Sequence, residues 1–246
     1  MQISVRDSDE FHRLLLALVD ELVDAQIHFN LHQDLAAAMP DYVAEFSQSW
    51  TFWSLTLGAH MDAVILRLCK AYDQYGGDNP SLNLRSLLGT IKANLHLFDE
   101  PNFRERLKDS AFVDSLAADA RRPNLAEIEK DLESVSNGNP QVKRLTIWRN
   151  NYYAHRSRTS ALDPAAFARE NPLQFPEIEA LLSNGVTIVN RYSHLFIAAV
   201  HSTGIVGRDD YMSVLKSVRK DLEAQEAHVQ AQFAAAKAAL SKAADA

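Results

Sequence analysis

Cysteine is nearly absent from this 246-residue chain: Cys69 stands alone. That excludes an internal disulfide framework and any Cys-rich zinc finger, and it suits a reducing compartment. Glycine and proline are also scarce, at eight each, whereas alanine occurs 34 times. Few breakers and much alanine favour helix and argue against a strand-and-turn fold. No unbroken apolar run exceeds the six residues of 14–19 or 195–200, whereas a membrane span needs roughly 20. Residues 1–11 lack the apolar core of a signal peptide. A soluble, cytoplasmic protein with no membrane partner is expected. Positive charge is not in excess either, because 25 Lys and Arg face 32 Asp and Glu. A net charge of −7 excludes a general nucleic-acid coat and leaves room only for a local basic site. Phosphate-loop, dinucleotide and nucleophile-elbow glycine patterns are missing as well.

Helical periodicity fills this space. The spacing predicts helices over 8–38, with Asp7 or Ser8 as cap and Leu14, Leu18, Leu22 and Val23 inward, and over 41–75, a central helix carrying Gly58 as a close contact or kink. A turn follows at 76–80, then helices over 82–98, 102–118, 124–135 and 141–156. A loop is expected over 157–175, a helix over 176–201, and a last helix from Asp209 or Asp210 to the end. No alternating segment exceeds four or five residues, so the fold class is all-α, a bundle of long helices. We take 1–205 as a single bundle and 206–246 as an additional C-terminal helix of the same domain. Alanine makes up 11 of the last 23 residues, so the tip has little to bury and is expected to fray or bind a partner.

One window breaks the acidic balance. Lys143, Arg144, Arg149, Arg156 and Arg158 lie within 142–158, and no acid occurs from 134 to 162. Concentrated positive charge gathers anions, although such a run can also be a solvated face paired with acids elsewhere. On a helix, Leu145, Trp148, Tyr152 and His155 form one stripe, and Arg149, Tyr153 and Arg156 the adjacent one. Arg149 and His155, six apart, point about 120° from each other and lie about 9 Å apart along the axis. One site holding both needs an unwound helix or a second copy of the chain; otherwise His155 is a core histidine.

The segment 149–155, RNNYYAH, fits the R-x(4–6)-H signature of the HEPN superfamily. The string WRNNYYAHRS resembles the form found in its abortive-infection-type bacterial clade. VILRLCKAYDQ, SLNLRSLLGTI and PEIEALLSNGVTIVNRYS are similar to the flanking helices of that clade, so the resemblance spans 51–193. It implies an HEPN-like helical bundle that dimerises through the R/H helix. Many members are metal-independent ribonucleases, often acting as toxins or in phage defence, while others keep the fold and only bind; for this chain an antitoxin or another protein is a candidate partner. Arg149 and His155 match the two signature positions, and Asn150 matches the polar position beside the arginine. Many relatives carry an acid two residues after the histidine, where this chain has Ser157, within Arg156-Ser157-Arg158.

The chemistry suits such a pair. Cleavage of RNA by its own 2′-OH requires proton transfer near neutral pH, which histidine supplies. It also requires positive charge on the phosphate, which a guanidinium forks onto. The resemblance therefore implies Arg149, His155 and Asn150 as catalytic residues, no cofactor, and a homodimer acting on RNA. Arg144, Asn151, Tyr152, Arg156 and Arg158 are candidates for RNA or nucleotide binding. Tyr152 and Tyr153 can stack on bases, yet aromatics at helical spacing equally serve a core or dimer interface. A non-catalytic HEPN-fold module that binds a nucleotide, RNA or another protein is the alternative. Asp20, Asp24, His28 and His32 share a face of the first helix, but no further metal-site pattern accompanies them, and we expect no metal there. Arg67, Asp62, Asp73 and Arg85 lie in the clade-like helices, where charges must be paired or lie at an edge; they either support the R/H site from behind or close salt bridges within the bundle, and the second is the expected use.

Overall fold

Alanine, leucine and arginine carry this chain into helix almost throughout, as a computed structural model shows. The structure describes residues 2–74, 81–119, 121–204 and 206–244; the turn expected at 76–80 lies outside the described residues. Among the described residues every regular element is a helix, and no helix is long and apolar enough to cross a membrane. The elements are α1 (Ser8–Ala38), α2 (Val43–Gln48), α3 (Trp50–Ala71), α4 (Leu84–Ala93), α5 (Glu100–Arg106), α6 (Val113–Ala117), α7 (Leu125–Ser134), α8 (Pro140–Trp148), α9 (Arg158–Leu162), α10 (Pro164–Glu170), α11 (Phe175–Ile197) and α12 (Asp210–Ala244).

The residues form two units. One comprises Met1–Phe29 and Met61–Thr203, the other Asn30–His60 and Gly204–Ala246. The chain passes from one to the other within α1, within α3 and again at 203/204. The first two passages fall inside unbroken helical periodicity.

In the first unit α1 starts at an Asp7 cap, whose Oδ1 accepts from the amide of Glu10 at 2.8 Å. Its buried stripe is Phe11, Leu15, Leu18, Val19, Leu22, Ala25 and Phe29; Leu14 and Val23 sit at the edge of that stripe and are only half-buried. α11 supplies the opposing face through Ile178, Leu181, Leu182, Ile188, Val189, Tyr192 and Phe196. Gly185 lets the two helices approach, for a Cβ there would stand 2.8 Å from Leu22 Cδ2. Gly58, by contrast, has nothing within 4 Å of its side-chain position, so it is not the close contact expected. The Tyr72 hydroxyl donates to the Leu181 carbonyl at 2.6 Å, tying the end of α3 to α11. α7 is held to α11 through buried Asp131, which accepts from Tyr192 at 2.8 Å and binds Arg191.

The helix expected over 41–75 divides at Ser49, where the backbone leaves the helical region. Its apolar face is also less central than expected. Val64, Ile65, Leu68, Cys69 and Ala71 are core, whereas Trp50, Phe52 and Leu55 are more than half exposed. Hydrophobic composition alone does not distinguish these two stretches. The second unit has its own small core of Leu35, Tyr42, Phe46, Trp53 and Leu215. Around it, Arg219 pairs with buried Glu45 and stacks on the Tyr42 ring at 4.1 Å, and Arg208 binds Asp34.

Candidate active site

The site begins with α8. Asn139 caps it by accepting from the amide of Gln141 at 3.0 Å, and Pro140 occupies the first turn. Val142 and Leu145 anchor the helix in the core. Arg149 is followed by four residues that form helix poorly or only moderately well: Asn150, Asn151, Tyr152 and Tyr153. Here the α-helix ends at Trp148, eight residues before the end expected at Arg156. Arg149–Tyr153 forms one wide π turn, closed by the amide of Ala154 on the Arg149 carbonyl at 2.7 Å. Such turns occur frequently at functional sites. The freed Asn151 carbonyl accepts from the amide of Ser157 at 3.0 Å and from the Ser160 hydroxyl at 2.5 Å, and its side-chain amide donates to the Ile147 carbonyl at 2.9 Å. The chain therefore leaves the helix axis before His155.

Segment 157–175, expected as a loop, contains α9 and α10, capped by Ser157 and Asp163. It packs on Trp148, whose indole donates to the Asn171 carbonyl at 2.6 Å and stacks edge-on to Phe167 at 5.1 Å. The trigger is local capping chemistry around two prolines, which resembles loop composition in sequence.

Arg149 turns towards α3. Its two terminal nitrogens lie 3.2 and 3.3 Å from the two carboxylate oxygens of Asp73, a two-point pair with the arginine one-third exposed (33%). Asn150 is exposed, with its Oδ1 3.5 Å from Arg149. Tyr153 donates to Asp62 at 3.1 Å; burial foremost, then the Asp62 charge, pushes its phenol well above the ordinary range. Two of the four charges placed in the clade-like helices thus serve the R/H segment instead of the bundle. Arg67 does close bundle salt bridges, to Glu21 and Asp24 at 3.4 and 3.0 Å, and Arg85 reaches Gln74 at 3.4 Å.

A cavity of about 160 Å³ opens beside this pair, lined by Leu66, Cys69, Lys70, Asp73, Arg149, Tyr153 and Ala154. Burial pushes the Cys69 thiol up to about 12, partly offset by the Arg149 charge, so it is held protonated. On the other side of Tyr153 an apolar cavity of about 160 Å³ is lined by Trp148, Met61, Ile65, Leu173, Phe175 and Ile178.

The remaining sequence candidates divide between the inside and the outside of the fold. Arg144 is tied to Glu177 of α11. Tyr152 is 37% exposed, packs edge-on to Trp148 and Tyr153, and lies 5.7 Å below the Arg156 guanidinium. His155, Arg156 and Arg158 are exposed. His155 is therefore not a core histidine. It lines neither of these two cavities. Sequence reasoning missed Lys70, Ser157 and Ser160. Only a serine spacing that suits capping hinted at the last two.

Among the described residues no three His, Cys, Asp or Glu side chains gather as a metal site. On α1, Asp24 is paired with Arg67, and His32 Nδ1 lies 3.1 Å from the Leu57 carbonyl.

Comparison with known proteins places this geometry. No curated protein and no solved structure matches the chain. A family model of the HEPN group, described as AbiU2, matches residues 8–216. The matched span runs from α1 into the start of α12 and includes the whole R/H segment. The chain belongs to the HEPN AbiU2 family, an abortive-infection-type group.

Proposed function

We propose that this chain is a metal-independent endoribonuclease of the HEPN type, with its site completed at the cleft of a homodimer and its activity serving toxicity or phage defence. The observation that carries the reading is the contrast on one widened turn. Arg149 is held in a fixed orientation by Asp73 at the rim of a cavity, while His155 leaves the helix into solvent. A guanidinium has five N–H donors, and the Asp73 pair leaves some of them for phosphoryl oxygens. In this reading Arg149 stabilises the charge that builds on the phosphorus centre. His155 takes the proton of the 2′-OH or gives one to the leaving 5′-oxygen. Asn150, adjacent and exposed, orients the phosphate or the imidazole. Tyr152, Arg156 and Arg158 offer a stacking surface and two cations to the rest of the strand, and Asn151 shapes the turn that presents them. In this reading a second copy of the chain completes the site, as the family resemblance implies. An antitoxin or other protein that covers the exposed turn would silence the site.

The test is incubation of the purified chain with labelled structured and unstructured RNA in EDTA, beside Arg149→Ala and His155→Ala. Wild type is expected to leave 2′,3′-cyclic phosphate ends. Each variant should lose about 100-fold or more of the rate while its circular dichroism and melting are preserved. Full cleavage by both variants would overturn the assignment. A non-catalytic RNA- or nucleotide-binding module remains the second reading. It is favoured by the engagement of two of the five cations, Arg144 and Arg149, with carboxylates of the fold. RNA binding without cleavage by wild type would select it.

A further inference from the structure

We infer that α12 is a self-association helix, on which the same segment of a second copy of this chain docks antiparallel. Only the start of this helix is used by its own unit: Leu215 is fully buried, and Val218 and Leu222 are half-buried. Beyond them Val229, Phe233 and Leu240 are 45, 70 and 73% exposed. Together with Leu222 they lie on one stripe with spacing 7, 4 and 7. With Glu226 and Ala236 between them, the spacing becomes 4, 3, 4, 3 and 4, the seam of a two-helix coil. This order reads the same in both directions about position 231. Turning a second helix end for end therefore sets Leu222 on Leu240, Val229 on Phe233 and Glu226 on Ala236.

Charge selects that direction. Within 221–240 the first half carries Asp221, Glu223 and Glu226, whereas the one charge of the second half is Lys237. The antiparallel arrangement brings acids beside lysines, with Glu226 next to Lys237 of the second copy. A parallel arrangement stacks acid on acid and lysine on lysine. The many alanines beside the stripe allow close approach of the two backbones. This contact is independent of the R/H segment and of the nuclease reading.

Disulfide trapping in the full chain tests the direction. Cys69 is buried and held protonated, so introduced cysteines report alone. Leu222 and Leu240 are about 27 Å apart along a helix, far beyond the reach of a disulfide. Chains carrying Leu222→Cys and chains carrying Leu240→Cys are mixed and mildly oxidised. Cross-linked dimer is expected from the mixture and from neither variant alone. Adding Phe233→Glu to both should lower the yield at least 10-fold, and this exposed position leaves the fold intact by circular dichroism. Glu226→Lys should lower it about threefold or more, and Glu226→Lys with Lys237→Glu should restore it. Cross-linking of Leu240→Cys chains by themselves, no cross-link in the mixture, or no recovery in the charge swap would overturn the proposal.

Discussion

Asp73 is the residue on which the orientation of Arg149 depends. The pair is partly open to solvent, at 33% and 12% exposure, so its worth to stability is small, under about 1 kcal/mol. Its worth to catalysis is positional, because a guanidinium displaced by an ångström loses its alignment on phosphate. Asp73→Asn is therefore expected to lower RNA cleavage about 10-fold while moving the denaturation midpoint only slightly. A variant that unfolds, or one that cleaves at the full rate, would contradict this division. The sequence placed Arg149, Asn150 and His155 together through their spacing and the resemblance those residues carry. It offered Asp73 only as one of four charges that either support this site or pair within the bundle, since 76 positions separate Asp73 from Arg149 and an acid in an apolar helix announces only that it needs some partner.

At the scale of the element, packing of α7 on α11 hinges on one carboxylate. Asp131 is 5% exposed and receives both Arg191 and the Tyr192 hydroxyl. Asp131→Ala removes the acceptor, leaving the Tyr192 hydroxyl without it and Arg191 with Glu127, and is expected to cost about 3 kcal/mol, read as a lower urea midpoint with an unchanged slope. Helix starts were largely legible, because caps are local. Asp7, Asn124 and the proline that opens α8 act where their chemistry suggests. Helix ends were less so. Past the end of α8 at Trp148 the Asn151 carbonyl is claimed by both Ser157 and Ser160, residues six and nine positions on, and the break at Ser49 has no proline or glycine to signal it. The short helices α9 and α10 hid behind Pro164 and Pro172 for the same reason.

For the molecule as a whole, acid is the condition that should weaken it. Burial, then the neighbouring Arg106 charge, lowers the basicity of His12, and burial with Arg67 does the same to His28; Asp9 and Asp24 oppose these effects only in part. Both imidazoles are thus harder to protonate in the folded chain than in the unfolded one. Below pH 6.5 the unfolded chain takes up protons that the folded chain resists, so the stability present above that pH is lost as pH falls through it. The melting temperature should drop between pH 7 and 5.5, and His12→Gln should flatten the slope. An unchanged slope in that variant would move the effect to other groups. The all-α class was legible from composition and periodicity. Helices α1 and α3 run across the divisions between the two units without a change of pattern.

That organisation bears on how the chain can be cut. The second unit draws its core from two distant stretches, with Leu35, Tyr42, Phe46 and Trp53 from one and Leu215 from the other. The alanine-rich end looks like an appendage, yet the helix that bears it begins as a wall of that core. A shortened chain ending near residue 205 would retain four large side chains whose fifth neighbour had gone, and Glu45 would lose Arg219 as well. Neither unit is a contiguous segment, so the molecule offers no single seam at which a module could be separated or exchanged.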